Sequence, residues 1–203
     1  MKKSLLLFLA WISQVPSVPA DVTVTTPLAA PAKSIMMSFE IPDAEAVGYQ
    51  WRNTPENGRR DIGMAFTPES SFLLEAITLQ LQSGAGVGTK SAPFRLLVFK
   101  LDLSTRIMLD EVANLSGISP AAVSPANTFL RFDLGADKIP LKAGETYGFL
   151  FIFEDQLESR AFSMQAANEN MEQPSLRRLE SEDGSTLSIS RAALEFYLEG
   201  IPQ

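Results

Sequence analysis

The sequence predicts an all-β protein: a single antiparallel β-sandwich domain of jelly-roll type, lying behind a signal peptide. Three observations carry that prediction. At least eight short apolar runs recur along the chain, several alternating at period two and separated by Pro, Gly, Asn and Asp turn signals. Between them there is no long amphipathic helix of the kind an α/β sheet needs for its crossovers. Cysteine is absent, so the fold stands on its hydrophobic core rather than on disulfides; 45% apolar and 20% charged residues are an ordinary balance for such a core.

The N-terminus has the layout of a secretory signal. Lys2 and Lys3 form a positive n-region, and Ser4 to Ile12 is an apolar stretch too short to span a bilayer. Val18 and Ala20 then put small residues at positions −3 and −1 before Asp21. The expected organisation is therefore a signal peptide over 1–20, an extended Thr/Ala/Pro-rich leader over 21–33 and the sandwich over 34–203. The rest of the chain has no second run long enough to cross a membrane, and Leu198 to Gln203 carries no hydrophobic tail. The expected destination is the periplasm or the cell exterior.

The strands follow in order. Ile35, Met37, Phe39 and Ile41 alternate with Ser34, Met36, Ser38 and Glu40, a half-buried strand ended by Pro42. Val47 to Trp51 is a second, and Thr54-Pro55-Glu56-Asn57-Gly58 is a turn whose Asn-Gly pair suits positive φ. Asp61 to Thr67 is stopped by Pro68. In Phe72 to Gln82, Phe72 and Leu74 share one phase while Ile77, Leu79 and Leu81 hold the other, so a bulge or bend is expected near Ala76. A Gly-rich loop spans 83–93. Phe94 to Leu101 is apolar on both faces and reads as a central strand, followed by a more exposed strand over 105–113 and a loop over 117–126. Thr128 to Leu134 alternates again. Leu141 to Thr146 turns into Tyr147 to Phe153, the most apolar run of the mature chain. Ala161 to Ala167 is a further strand, and 168–184 a polar loop with a helical turn near 176–179. The last strand places Leu194, Phe196 and Leu198 inward and Glu195, Tyr197 and Glu199 outward. The two doubly apolar strands need a second cover: the leader, the 168–184 segment, or a partner.

Several of these segments are familiar in combination. They are Gly63-Met64-Ala65-Phe66-Thr67, the Ser71 to Leu79 strand, Leu96 to Phe99, Leu141 to Phe149 with its Ala-Gly-Glu-Thr-Tyr-Gly, and Leu194 to Gly200. Together they resemble the jelly-roll β-sandwich domains of secreted bacterial proteins of the "choice-of-anchor" type, here without the C-terminal anchor. The resemblance covers roughly 35–200. It implies an architecture like that of carbohydrate-binding modules and supplies no catalytic motif.

Composition narrows the chemistry. With no His and no Cys, the common zinc and copper sites and the Ser-His-Asp and Cys-His nucleophile pairs have no residues to build them. The formal charge of −7 becomes −9 once Lys2 and Lys3 leave with the signal, which disfavours nucleic acid. No cofactor is implied. A structural calcium would draw on Asp133, Asp137 and the 180–184 acidic stretch, although the Asp-x-Asp-x-Asp-Gly pattern is missing. Asp61, Glu75, Glu154, Asp155 and Glu195 are the carboxylates open to a glycosidase or lyase, and nothing in their spacing pairs them. Lys90-Ser91 and the Gly84 to Gly88 cluster lack the helix that a dyad or phosphate loop needs.

The expected function is thus that of a secreted, non-enzymatic module binding extracellular or cell-surface glycan. Tyr49, Trp51, Arg52 and Asn53 are the ligand-binding candidates, as an aromatic and polar mix beside a turn. Trp51 has a second reading as a core residue, which its bulk favours. The alternatives are a structural or protein-interaction component of the envelope or matrix, and, behind it, the carboxylate enzyme.

Overall fold

A computed structural model of the chain describes residues 22–82, 90–121, 123, 129–158, 161–167 and 175–203. These residues form two antiparallel sheets packed face to face, with no helix among them. The first sheet contains β1 (Thr23–Thr25), β2 (Ile35–Phe39), β5 (Phe72–Gln80), β8 (Phe129–Asp133), β9 (Ile139–Leu141) and β14 (Phe196–Pro202). Its main path runs β1-β8-β5-β14-β2, with β9 paired to β5. The second contains β3 (Ala46–Thr54), β4 (Gly58–Phe66), β6 (Pro93–Asp102), β7 (Ile107–Ile118), β10 (Tyr147–Phe153), β11 (Phe162–Ala167), β12 (Arg177–Ser181) and β13 (Ser188–Ser190). Its main path is β11-β3-β4-β10-β6-β7, and the β12–β13 hairpin joins β4.

The seams between the sheets are stitched. On one side Val22 bridges Gly117, and its N–H donates to the Ser116 carbonyl at 2.9 Å. On the other, β11 bridges both Leu81 and Leu194 through Met164 and Ala166. The sandwich is therefore held at both margins by backbone hydrogen bonds as well as by its core.

Alternation fills that core. Ile77, Leu79, Leu130, Phe132, Phe196 and Leu198 point inward from the first sheet to meet Ile62, Met64, Phe94, Leu96, Phe149 and Phe151 of the second. β10 is buried at every position, as its composition demands. Its outer face and that of β6 form a second apolar cluster (Leu97, Phe99, Leu101, Leu150, Ile152), covered by Leu179, Leu187 and Ile189 of the β12–β13 hairpin. Of the three covers open to the sequence, the 168–184 segment supplies part of this one through Leu179, and residues beyond it, Leu187 and Ile189, supply the rest.

The phase flip near Ala76 is a β-bulge. Glu199 pairs with Ala76 and Gly200 with Leu74, leaving Glu75 without an opposite residue. A Cβ on Gly200 would sit 2.2 Å from the Leu73 carbonyl oxygen, so the bulge needs glycine at this close approach. The β3–β4 hairpin also forms where expected. Only Gly58 takes positive φ (66°), and Thr54 Oγ1 accepts the Asn57 N–H, so the connection is longer than a two-residue Asn-Gly turn.

Four expectations are corrected. The leader is partly a structural element: Thr23–Thr25 pairs with β8 and Val22 is buried, so the sandwich begins at Val22 rather than at residue 34. The helical turn expected near 176–179 is strand β12, whose charged sequence is explained below; 168–174 lies outside the described residues, as do 1–21 and 83–89. Gly117 and Ile118 end β7 instead of opening a loop. Glu195, Tyr197 and Glu199, expected to face solvent, are buried because two segments pass over the outer face of the first sheet.

Candidate functional site

The first of these segments makes the site. β1 and β2 are neighbours in sequence but lie on opposite edges of the first sheet. Residues 26–34 must cross β8, β5 and β14 to join them, about 19 Å at the usual strand spacing. Nine residues reach farther than that, up to roughly 30 Å, so the connection has slack and lies across the sheet as a strap. It is pinned at each end: the Phe129 N–H donates to the Pro27 carbonyl at 3.0 Å, and the Gly200 N–H to the Ser34 carbonyl at 2.8 Å. Ser34 adopts φ 59°, a left-handed conformation unusual for a residue with a side chain, where the strap turns into β2. Prolines at 27 and 31 stiffen it.

Between strap and sheet lies an open groove of about 480 Å³, within the range of small-ligand sites. The strap contributes small apolar groups and Lys33; the floor is Glu75, Thr78, Arg131 and Glu199. Three of the floor side chains, Thr78, Arg131 and Glu199, form one network with Asp133. Thr78 Oγ1 donates to Glu199 Oε1 at 2.9 Å, and Arg131 Nε donates to Glu199 Oε1 and Oε2 at 3.0 and 3.2 Å. Arg131 Nη1 donates to Asp133 Oδ2 at 2.6 Å. Glu75 pairs with Lys138 at 2.5 Å. Thr78 and Arg131 are directly opposite each other on β5 and β8, which fixes their spacing. Burial pushes the Asp133 carboxyl up, but Arg131 and the Gly135 N–H together outweigh it and hold the group below its usual range.

Beside the groove, Glu195 is buried under the 39–43 turn. Its carboxylate accepts from the Ile41 N–H (3.0 Å), Gln165 Nε2 (3.2 Å) and the Tyr197 hydroxyl (3.2 Å). Burial pushes the Glu195 carboxyl and the Tyr197 phenol above their ordinary values. With every oxygen partnered, this cluster anchors the turn to β14 and β11.

The candidates read from sequence separate. Trp51 is fully buried, stacked on Phe153 (centroids 3.8 Å apart) and edge-on to Phe94 at 5.6 Å and Phe132 at 6.2 Å. It joins the two sheets and offers no ring to a ligand; the core reading of this residue is the one the structure shows. Tyr49 lies in the fork where β3 leaves β4 for β11 and β12 takes its place on β4. The Arg178 guanidinium lies 3.6 Å and that of Arg60 4.7 Å from its ring centroid, and burial together with Glu180 pushes its phenol up to about 12. The Tyr49 ring is thereby engaged by two cations. Arg52 Nε donates to the Asn57 carbonyl and Asn53 Nδ2 to the Asp155 carbonyl, so these two secure turns. The fork explains β12: Arg178 pairs with Glu180 and stacks on Tyr49, a strand made from residues that read as loop.

The remaining acids are dispersed. Asp61 is enclosed with Arg59, whose Nε donates to both carboxylate oxygens at 3.0 and 2.8 Å. Glu154 pairs with Arg95 at 3.1 Å. Asp183 accepts from the Ser185 and Thr186 amides at 2.7 Å each, closing the β12–β13 turn. Among the described residues no three acidic side chains gather as a metal-binding group. Glu75 and Glu199 are the two carboxylates that share the groove. The sequence reading missed Thr78, Arg131 and Glu199, which lie far apart along the chain; the one available signal was the phase flip near Ala76, which marks the bulge at Glu75.

Scans against protein families, curated proteins and solved structures returned no match for this chain. What the geometry defines is a class: a two-sheet antiparallel β-sandwich with a strapped groove on one outer face.

Proposed function

We propose that the protein is an exported, non-catalytic glycan-binding module, and that its site is the strapped groove rather than the Tyr49 to Asn53 cluster. The carrying observation is the Thr78–Glu199–Arg131–Asp133 network on the groove floor. Sugar hydroxyls both donate and accept, and a fixed Arg-carboxylate array meets both needs without reorganisation. Glu75 and Glu199 are each already engaged by a cation, which suits them to accept hydrogen bonds; the reading assigns them no proton transfer. The signal-like N-terminus and the resemblance to secreted sandwich domains support a role outside the cytoplasm.

The test is a broad glycan panel, with and without calcium, using the folded chain and an Ala29→Leu variant. Ala29 is an exposed strap residue lining the groove, so added bulk there narrows the site with little effect on stability. A hit weakened by Ala29→Leu supports the proposal; silence across the panel from a folded sample defeats it. One observation favours the second reading, an envelope or matrix component. Ile107, Leu109 and Ile118 are exposed on edge strand β7, an arrangement suited to strand pairing with a partner. Concentration-dependent association abolished by Leu109→Lys would move the account to that reading.

A further inference from the structure

We infer that the groove selects uncharged, polyhydroxylated chains, that is neutral polysaccharide, over uronate-bearing or otherwise acidic glycans. The inference rests on the glycan reading above and concerns the charge of the ligand. The charges lining the groove balance: Lys33 and Arg131 against Glu75 and Glu199. Their outer partners, Lys138 and Asp133, balance as well.

The charge of the floor cation is already balanced. Arg131 holds Glu199 with Nε and Asp133 with Nη1. A carboxylate that reached Arg131 would be the third around one guanidinium, beside Glu199, whose side chain is only 11% exposed, and Asp133. Like charges at close range repel in a partly desolvated site, so an anionic sugar gains little from a cation that two carboxylates already neutralise. A hydroxyl brings no such repulsion. Three of the five Arg131 N–H groups have no partner among the described residues, because Nε and one Nη1 hydrogen account for the observed bonds. Glu199 Oε1 accepts twice, from Thr78 and Arg131, whereas Oε2 accepts once and keeps an acceptor position. Free donors beside a free acceptor match a pair of neighbouring hydroxyls. Lys33, on the exposed strap, adds charge at the rim, where salt screens it.

The experiment compares neutral and uronate-containing oligosaccharides of equal length by calorimetry, at low salt and at roughly half-molar salt. Neutral chains are expected to bind at least tenfold more tightly than acidic ones, with less than a twofold change between salt conditions. Lys33→Ala should stay within twofold of the native chain, while Arg131→Ala should lose at least tenfold. Should Arg131→Ala not fold, Ala29→Leu supplies the loss at the same groove. Preference for the uronate series, or affinity that collapses with salt and with Lys33→Ala, overturns the inference and leaves the glycan reading standing. No binding to either series defeats the glycan reading, and this inference with it.

Discussion

Removing the Trp51 ring tests whether this residue holds the sheets together or serves a ligand. The indole contacts aromatic rings from both sheets and is wholly buried. Truncation of such a side chain costs about 3–5 kcal/mol, combining lost transfer energy with a cavity. At about 2–4 °C per kcal/mol for a domain of this size, Trp51→Ala should lower the melting temperature by about 6 to 20 °C. Trp51→Phe should cost less, for two reasons. It keeps a ring against Phe153, and it removes the indole N–H, which is buried without a hydrogen-bond partner among the described residues. An unsatisfied buried polar group costs ~1–3 kcal/mol, so part of the cavity penalty is offset. Thermal melts followed by circular dichroism give both values. The chain's two tryptophans are Trp11 and Trp51, so with Trp11→Phe the fluorescence reports on Trp51 alone. Its emission should be blue-shifted and resist acrylamide quenching until the protein unfolds. The reasoning is refuted if emission is that of an exposed indole, or if Trp51→Ala melts like the native chain and loses glycan binding.

Glycine positions separate two mechanisms. A Cβ at Gly63 would lie 1.7 Å from the Phe149 carbonyl oxygen, so Gly63→Ala must push β4 from β10 and should cost ~3 kcal/mol or more in urea melts. Gly58→Ala meets open space and only the strain of φ 66°, so a loss of ~1 kcal/mol is expected, and equal losses at the two sites would contradict the account. Burial raises the Asp61 carboxyl to about 6, outweighing the neighbouring Arg59. The native state then keeps a proton that the unfolded chain has released, so this group lowers stability as pH rises from about 4 through 6, with the cost complete above that window. Relative to Asp61→Asn, the native chain should lose stability between about pH 4 and 6 and level off above; a gain over that range would reverse the assignment.

Much of the sandwich was legible because inward and outward residues alternate. The run from Phe72 to Leu81 revealed even its bulge, since a flipped phase has few other causes. β12 was not legible. Arg177-Arg178-Leu179-Glu180-Ser181 lacks a clear apolar alternation, and its stability comes from Tyr49 and β4, more than a hundred positions earlier. Likewise Glu195, Tyr197 and Glu199 obey the outward phase of their strand. They are buried only because the strap and the 39–43 turn pass over them, a consequence of topology that no local pattern encodes. The groove assembles Thr78, Arg131 and Glu199 from three strands adjacent in space but distant in sequence. Trp51 illustrates the converse: an aromatic beside polar residues suggests a platform, while the Phe-rich strands β6 and β10 require a partner of its size.

The most direct test of the central claim is to titrate the folded chain with a neutral oligosaccharide and map amide and side-chain shifts by NMR. The account predicts that changes cluster on Ala29, Ala30, Lys33, Thr78 and the Arg131 Nε–H, with Tyr49 and the β7 edge undisturbed. Shifts centred on the Tyr49 fork or on Ile107 and Leu109, or no shifts at saturating sugar, would contradict it.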